Sequence, residues 1–388
     1  MNGAGLVFLW GVVMSIAANA IAGTGGGGEE WLYITSSAKQ GRNSIDLYRL
    51  ELSSGTLTAT GVSTEWPGPN FLAMSKDQRF LYASCNPKQG AVAAFGIDAG
   101  TGKLSALNQQ ASAGERAVHV TLEPSGRAAL VANYQGNTVA VLGIEADGSL
   151  KAVVDGGVAT HSGSGPNKDR QAHPFPHSIY PDPTGKFAYS CDLGVDKIYC
   201  YRLDAAHATL TANNPPTVTT PPGSGPRHLA FSPDHQCMYV VTEMGNTVIG
   251  YHVDAMTGGL KEFQTVSTLP AGTAAAEQRG GEVEVHPSGK WLFVSNRGPL
   301  NSMTTFAVDA ASGELRRASD VGASGDEPRS FVIDPSGDYV VVGNQFSNNV
   351  VVFRLDHSTG QLHPTGSAAL PGPTSIIFWT KPHEMPGK

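Results

Sequence analysis

HLAFSPDHQCMYVVTEMGNTVIGYHVDAMTGGL, residues 228–260, breaks into short strands separated by turns. Leu229 and Phe231 alternate with other residues before the Ser232-Pro233-Asp234 turn, and the apolar run MYVVT ends in a polar stretch at Glu243. A third alternating run, TVIGYHVD, leads into DAMTGGL, an acidic-x-x-x-Gly-x-Leu turn. That turn recurs as ELSSGTL (51–57), DAGTGKL (98–104), DAASGEL (309–315) and DHSTGQL (356–362), with looser copies EADGSL (145–150) and DAAHATL (204–210). The strand with its proline turn recurs in phase: HVTLEPSG (119–126), SIYPDPTG (178–185), EVEVHPSG (282–289) and SFVIDPSG (330–337), with LAMSKDQ (72–78) as a proline-free copy. A four-strand unit repeating at roughly 46–60 residues is the scale of a propeller blade.

The ends of the chain complete the count. WLYITSS (31–37) is a second-type strand with no first-type strand before it, and PTSIIFW (373–379) is a first-type strand with no blade after it. The expectation is therefore an all-β protein, a seven-bladed β-propeller of four-stranded antiparallel blades, with the C-terminal strand closing the first blade. One propeller domain is expected over 30–380, followed by a tail over 381–388. A sandwich of short strands would not repeat in register along the chain.

Composition agrees. Among 388 residues there are 47 glycines and 25 prolines, and only 15% are charged, which suits a turn-rich protein. A net charge of −7 without a Lys/Arg cluster excludes a general nucleic-acid binder, so an anionic ligand must be held by local arginines. The apolar run from Leu6 to Ile16, followed by small residues at Ala18-Asn19-Ala20, reads as a signal peptide over 1–22 and a glycine-rich linker over 23–29, although the first residues carry no Lys or Arg. This predicts a periplasmic or secreted protein, with a cytoplasmic one as the alternative. The mature chain is expected to have no membrane span and to be a monomer. Cys85, Cys191, Cys200 and Cys237 lack C-x-x-C spacing and lie in or beside strands, where buried thiols are favoured; Cys191 and Cys200 are the pair to test for a disulfide.

In a propeller the first strand of each blade is innermost. Aligning blades on the turn proline puts Asn70, Val118, His177, Arg227, Gly281 and Arg329 at the strand entries. The matching second-strand exits are Asn86, Asn133, Asp192, Glu243, Asn296 and Asn344, with Arg297 and Gln345 immediately after. Buried charge is costly unless paired, so convergence of His177, Arg227, Glu243 and Arg297 marks a candidate site at one mouth of the channel. By alternation His228 faces away from Arg227 and is expected to pack against the neighbouring blade. His161, His173, His177 and Asp192 lack compact ligand spacing, so no metal is expected.

The segments GPNKDRQAHPFPHS, GSGPRHLAFSP, YVVTEMGNTV, LFVSNRG and DEPRSFVIDPSG…VVGNQ resemble the lactonase family of seven-bladed propellers, which includes 6-phosphogluconolactonases and carboxy-cis,cis-muconate cyclases. The resemblance implies that His177, Arg227, Glu243 and Arg297 are catalytic, and that Arg170, Gln171 and His173 occupy a site loop, although HPFPHS spaces its histidines more widely than the commoner H-x-H. Arg329, Gln345, Asn133, Asp192, Arg170 and His173 are the expected substrate-binding residues. Lactone hydrolysis needs a base for water, donors for the oxyanion and an acid for the departing alkoxide. His177 suits the base, Arg227 and Arg297 the anion clamp, and Glu243 an orienting or acid/base role. The activity this resemblance implies is hydrolysis of a sugar lactone at the mouth of the channel; the partner expected is a small lactone or organic acid, and no cofactor is needed. Ring closure on a muconate-type acid, or binding without turnover, would use the same groups. The absence of a G-x-S-x-G elbow argues against a serine hydrolase.

Overall fold

The computed structural model describes residues 28–37, 43–85 and 88–381. Their strands form seven four-stranded antiparallel sheets, and no helix occurs among the described residues. The segments expected to be a signal peptide, most of the linker and most of the C-terminal tail lie outside the described residues, as does Asn86. The first sheet, blade I, takes its innermost strand Pro373–Trp379 from the C-terminus and pairs it with Glu29–Ser37, setting Trp31 opposite Trp379 and Ile34 opposite Ile376. The innermost strands of blades II to VII are Pro69–Met74, Ala117–Leu122, Pro176–Pro181, Pro226–Phe231, Arg279–Val285 and Pro328–Ile333.

Hydrophobic cores lie between blades rather than within them. One joins Leu32, Ile34 and Leu50 of blade I to Tyr339, Val341 and Val350 of blade VII, and another joins Tyr189 and Ile198 of blade IV to Leu229, Met238 and Ile249 of blade V. Second strands such as Tyr339–Asn344 are buried along their whole length, because a neighbouring sheet covers each face. No blade has a core of its own, so stability depends on closing the ring.

The repeated acidic turn has a specific job. In blade V, the Gly258 amide donates to the Asp254 carbonyl at 2.7 Å while the Asp254 carboxylate accepts from the Met256 amide at 2.8 Å. Gly258 sits at φ +67°, where a side chain would be strained, and an added Cβ would lie 2.4 Å from the Phe187 ring of blade IV. The hydroxyl of Tyr189 in blade IV donates to the Gly258 carbonyl at 3.0 Å; Tyr33 to Gly102 at 2.7 Å and Tyr239 to Gly313 at 2.7 Å repeat the arrangement. Each second-strand tyrosine thus pins the following blade. All four cysteines are buried free thiols, and Cys191 and Cys200 do not pair. Burial pushes both thiols up to about 12.

A β-bulge recurs at the entry of the innermost strands. In blades II, III, IV, V and VII one residue stands unpaired at the bulge: Asn70, Val118, His177, Arg227 and Arg329. In blade VI both Gly281 and Glu282 lie between the paired Gly280 and Val283. A bulge disturbs strict alternation and re-aims the side chains beside it. Side chains of one innermost strand then bind the backbone of the next: Ser178 Oγ donates to the Arg227 carbonyl at 2.7 Å, Arg227 Nη1 to the Gly281 carbonyl at 2.8 Å and Thr374 Oγ1 to the Asn70 carbonyl at 2.9 Å.

Candidate functional site

The bulge positions and the second-strand exits meet at one mouth of the channel. Glu243 is buried and binds three guanidiniums: Arg170 Nη2 at 2.6 Å, Arg297 Nη2 at 2.7 Å and Arg227 Nε at 3.4 Å. Arg297 also reaches Glu327 at 3.1 Å, and Arg279 reaches the other oxygen of Glu327 at 2.9 Å. Arg329 stands half-buried beside this network, with no ion-pair or hydrogen-bond partner among the described residues. Five guanidiniums therefore face two carboxylates, leaving the mouth strongly positive although the whole chain is acidic.

The electrostatics follow from that surplus. Burial alone would raise the Glu243 carboxyl, but Arg297, Arg227 and Arg170 outweigh it and hold the group far below the usual carboxylate range. Glu243 is therefore a fixed anion that organises arginines rather than an acid that exchanges protons. Burial, with Arg227 and Arg297 next, lowers Arg329 to about 9; burial and Arg297 lower Arg227 to about 10. An anion placed between these cations would relieve the repulsion.

His177 is buried, its Nδ1 has no protein partner, and its ring stands 5.4 Å from that of Tyr134. Burial first, then the nearby arginines, keeps its imidazole neutral well below the usual histidine range. Tyr134, Phe175 and His173 build an aromatic wall beside it, with rings 4.8 Å and 4.1 Å apart, and the Arg116 guanidinium lies 5.4 Å from the centre of the Tyr134 ring. His173 is exposed at the rim, where Nδ1 meets Asn137 Oδ1 at 2.9 Å. Gln171 is buried and donates to the Leu193 carbonyl and Asp196, so it shapes the loop that presents Arg170.

Two expected substrate ligands lie elsewhere. Asn133 is fully buried, with Nδ2 donating to the Ser112 carbonyl and Thr138 Oγ1. Asp192 is fully buried against His161 Nδ1 at 2.6 Å and the amides of Phe175 and Gly194. The strand pairing gives the reason. Asn133 pairs with Ala117 and Asp192 with Pro176, whereas the residue paired with Pro226 is Thr242, not Glu243. The equivalents of Glu243 are accordingly Tyr134, Leu193, Arg297 and Gln345, one residue later than the sequence alignment placed them. A one-residue shift exchanges the two faces of a strand. Gln345 is half-buried at that later position, its amide held by the Glu327 carbonyl at 2.9 Å.

His228 departs from its expected role in part. Its Nδ1 does meet Glu282 of the neighbouring blade, at 2.6 Å, but its ring also stands in the channel, 5.1 Å from both His177 and His119. The bulge between Pro226 and His228 is why simple alternation misplaced it. Arg279, Glu282, Glu327, Tyr134 and His119 carried no sequence signal beyond their blade position. The contacts to a carboxylate that single out Arg279, Glu282 and Glu327 join residues up to 54 positions apart, and Tyr134 and His119 are marked only by the rings they face. No cluster of metal-binding side chains occurs among the described residues. A groove of about 510 Å³, lined by Val266, Pro270 and Phe306 among others, contains none of these charged groups; its Arg317 is already tied to the Ser267 and Leu269 carbonyls.

Comparison with known proteins agrees with this architecture. Residues 31–378 match the family described as lactonase, 7-bladed beta-propeller. A 6-phosphogluconolactonase of Bacillus subtilis is 33% identical over 348 residues, covering 89% of this chain and 97% of the relative. Another from Formosa agariphila is 29% identical, covering 81% and 89%. The solved structure of a periplasmic gluconolactonase from Pseudomonas aeruginosa superposes with a TM-score of 0.85 at 32% identity, over 91% of this chain and all of that one. With a family match along nearly the whole propeller and a third of its residues shared with such relatives, the chain belongs to the lactonase family of seven-bladed β-propellers.

Proposed function

We propose that the protein hydrolyses a sugar lactone at this mouth, with His177 as the base that activates water and Arg227, Arg297 and Arg329 as the cations that hold the substrate and stabilise the oxyanion. The observation that carries the reading is a neutral, partner-free imidazole nitrogen beside a guanidinium cluster with surplus charge. A neutral imidazole can accept the proton of attacking water, and guanidiniums stay charged while negative charge builds on the carbonyl oxygen. Opening the ring creates a carboxylate, a further anion for the same cations. The aromatic wall of Tyr134 and Phe175 offers an apolar face to the C–H side of a sugar ring.

Two features bear on the substrate. The relatives named 6-phosphogluconolactonase act on a phosphorylated lactone, whereas the Pseudomonas structure is of a periplasmic gluconolactonase. With the signal-like N-terminus, we favour export and an unphosphorylated aldonolactone. A pH-stat assay over glucono-1,5-lactone and its 6-phosphate tests both points. Acceleration of the unphosphorylated lactone is the expected result, and no acceleration of either would overturn the reading. The mass of the mature N-terminus checks export.

A further inference from the structure

Beneath the arginines, the channel holds a second titratable group that the reaction above leaves unused. His228 Nδ1 and Glu282 Oε1 meet at 2.6 Å, both buried. Around them stand His177 and Tyr180 of blade IV, with ring centroids 5.1 and 6.2 Å from His228, and His119 and Phe71 of blades III and II at 5.1 and 5.6 Å. Arg227, Arg297, Arg329 and Glu243 act on the pair electrostatically, and Glu284 lies two residues along the strand from Glu282. His119 Nδ1 accepts from the Ile179 amide, so its Nε2 carries a hydrogen, and that buried atom has no protein partner. His177 Nδ1 is likewise buried and unpartnered. Orphaned buried nitrogens on two of three adjoining histidines mark a place where water or a substrate polar group belongs.

We propose that His228, oriented by Glu282, is the acid that protonates the ring oxygen as the lactone opens. This rests on the lactone-hydrolysis reading. The His177 and His228 rings touch edge to face, 5.1 Å apart at 63°, so an ester group bound across the two would meet His177 on the side of the entering water and His228 on the side of the leaving oxygen. The protons balance. His177 takes a proton from water as the new C–O bond forms. As the ring C–O bond breaks, the electron pair passes to the leaving oxygen, which takes the Nε2 proton of His228 while the proton shared with Glu282 settles on Nδ1. The product acid then ionises and returns a proton to the pair, and His177 releases its own to solvent.

The supporting electrostatics fit a protonated pair. Burial raises Glu282 to about 7 against the opposing pull of Arg227 and His119, so the pair can retain its mobile proton near neutrality. An imidazole in this environment that had to act as a lone cation would be disfavoured, because burial and then Arg227 push His228 well below the usual histidine range.

The test compares glucono-1,5-lactone with its analogue carrying sulfur in the ring. An alkoxide leaving group needs a proton, whereas a thiol has a pKa of only ~8.5 and departs without one. His228→Gln should lose on the order of 10²–10³-fold on the oxygen lactone and under ~10-fold on the sulfur lactone, relative to the unmodified protein. Glu282→Gln, which preserves volume, should shift the ratio in the same direction. Because the readout is a ratio, partial misfolding does not change it. Equal losses on both lactones, or none, would overturn the proposal. If the unmodified protein accelerates neither lactone, the hydrolase reading itself falls.

Discussion

Glu243 and Arg297 meet at 2.7 Å, both side chains being almost fully buried, and the same carboxylate also holds Arg170 and Arg227. Three blades are tied together by one anion. Removing it with Glu243→Gln would leave buried cations facing each other, with an expected loss of ~3–5 kcal/mol. Denaturant melts check this. The arginines depress the folded pKa of Glu243, so its contribution is fully present above the unfolded value of ~4.3 and is lost as pH falls towards the folded value. This group should therefore leave stability unchanged between pH 7 and 5 and weaken the fold only at lower pH.

His177→Ala should keep the fold and reduce kcat/KM by ~10²–10⁴-fold. Burial and the arginines hold this imidazole neutral, so in the unmodified protein kcat/KM should stay level as pH falls through ~6.5 and decline only below it. An acid limb at or above that value, read from initial rates across pH, would contradict a depressed base.

Arg329 is set apart from the other mouth arginines by having no ion-pair partner among the described residues, and repulsion from Arg227 and Arg297 adds to the cost of its burial. Arg329→Gln should raise stability by ~0.5–2 kcal/mol while raising KM for an anionic lactone or its product. A thermal melt and a saturation curve on the same preparation separate the two effects. A variant less stable than the parent would show that the charge is compensated in solution.

Asp192 and Asn133 provide the converse test. Asp192→Asn weakens a buried contact to His161, and Asn133→Ala removes bonds to Ser112 and Thr138. Each should cost ~1–3 kcal/mol of stability while leaving KM of the folded protein within about threefold. A large rise in KM at unchanged stability would return them to the binding site.

Much of the architecture was legible in residues 228–260 and their repeats. Proline turns, acidic-Gly-Leu turns and apolar runs are local signals, each fixed by dihedral preference or by a two-residue side-chain period, and the unmatched strands at the two ends implied closure. His177, Arg227, Glu243 and Arg297 could be selected because charge at the mouth of an otherwise apolar strand is expensive. The tertiary structure decided the rest. The pairing of Pro226 with Thr242 exposes the offset: Glu243 stands ten residues after its turn proline, Pro233, whereas Asn133 and Asp192 stand nine after Pro124 and Pro183. That one residue separates a channel group from the buried positions of Asn133 and Asp192. Whether His228 packs or faces the cavity depends on a bulge, and bulges are defined by pairing between strands rather than by either strand alone. The partners Glu282, Glu327 and Arg279 became visible only when closure of the ring brought separate blades within hydrogen-bonding distance around one channel.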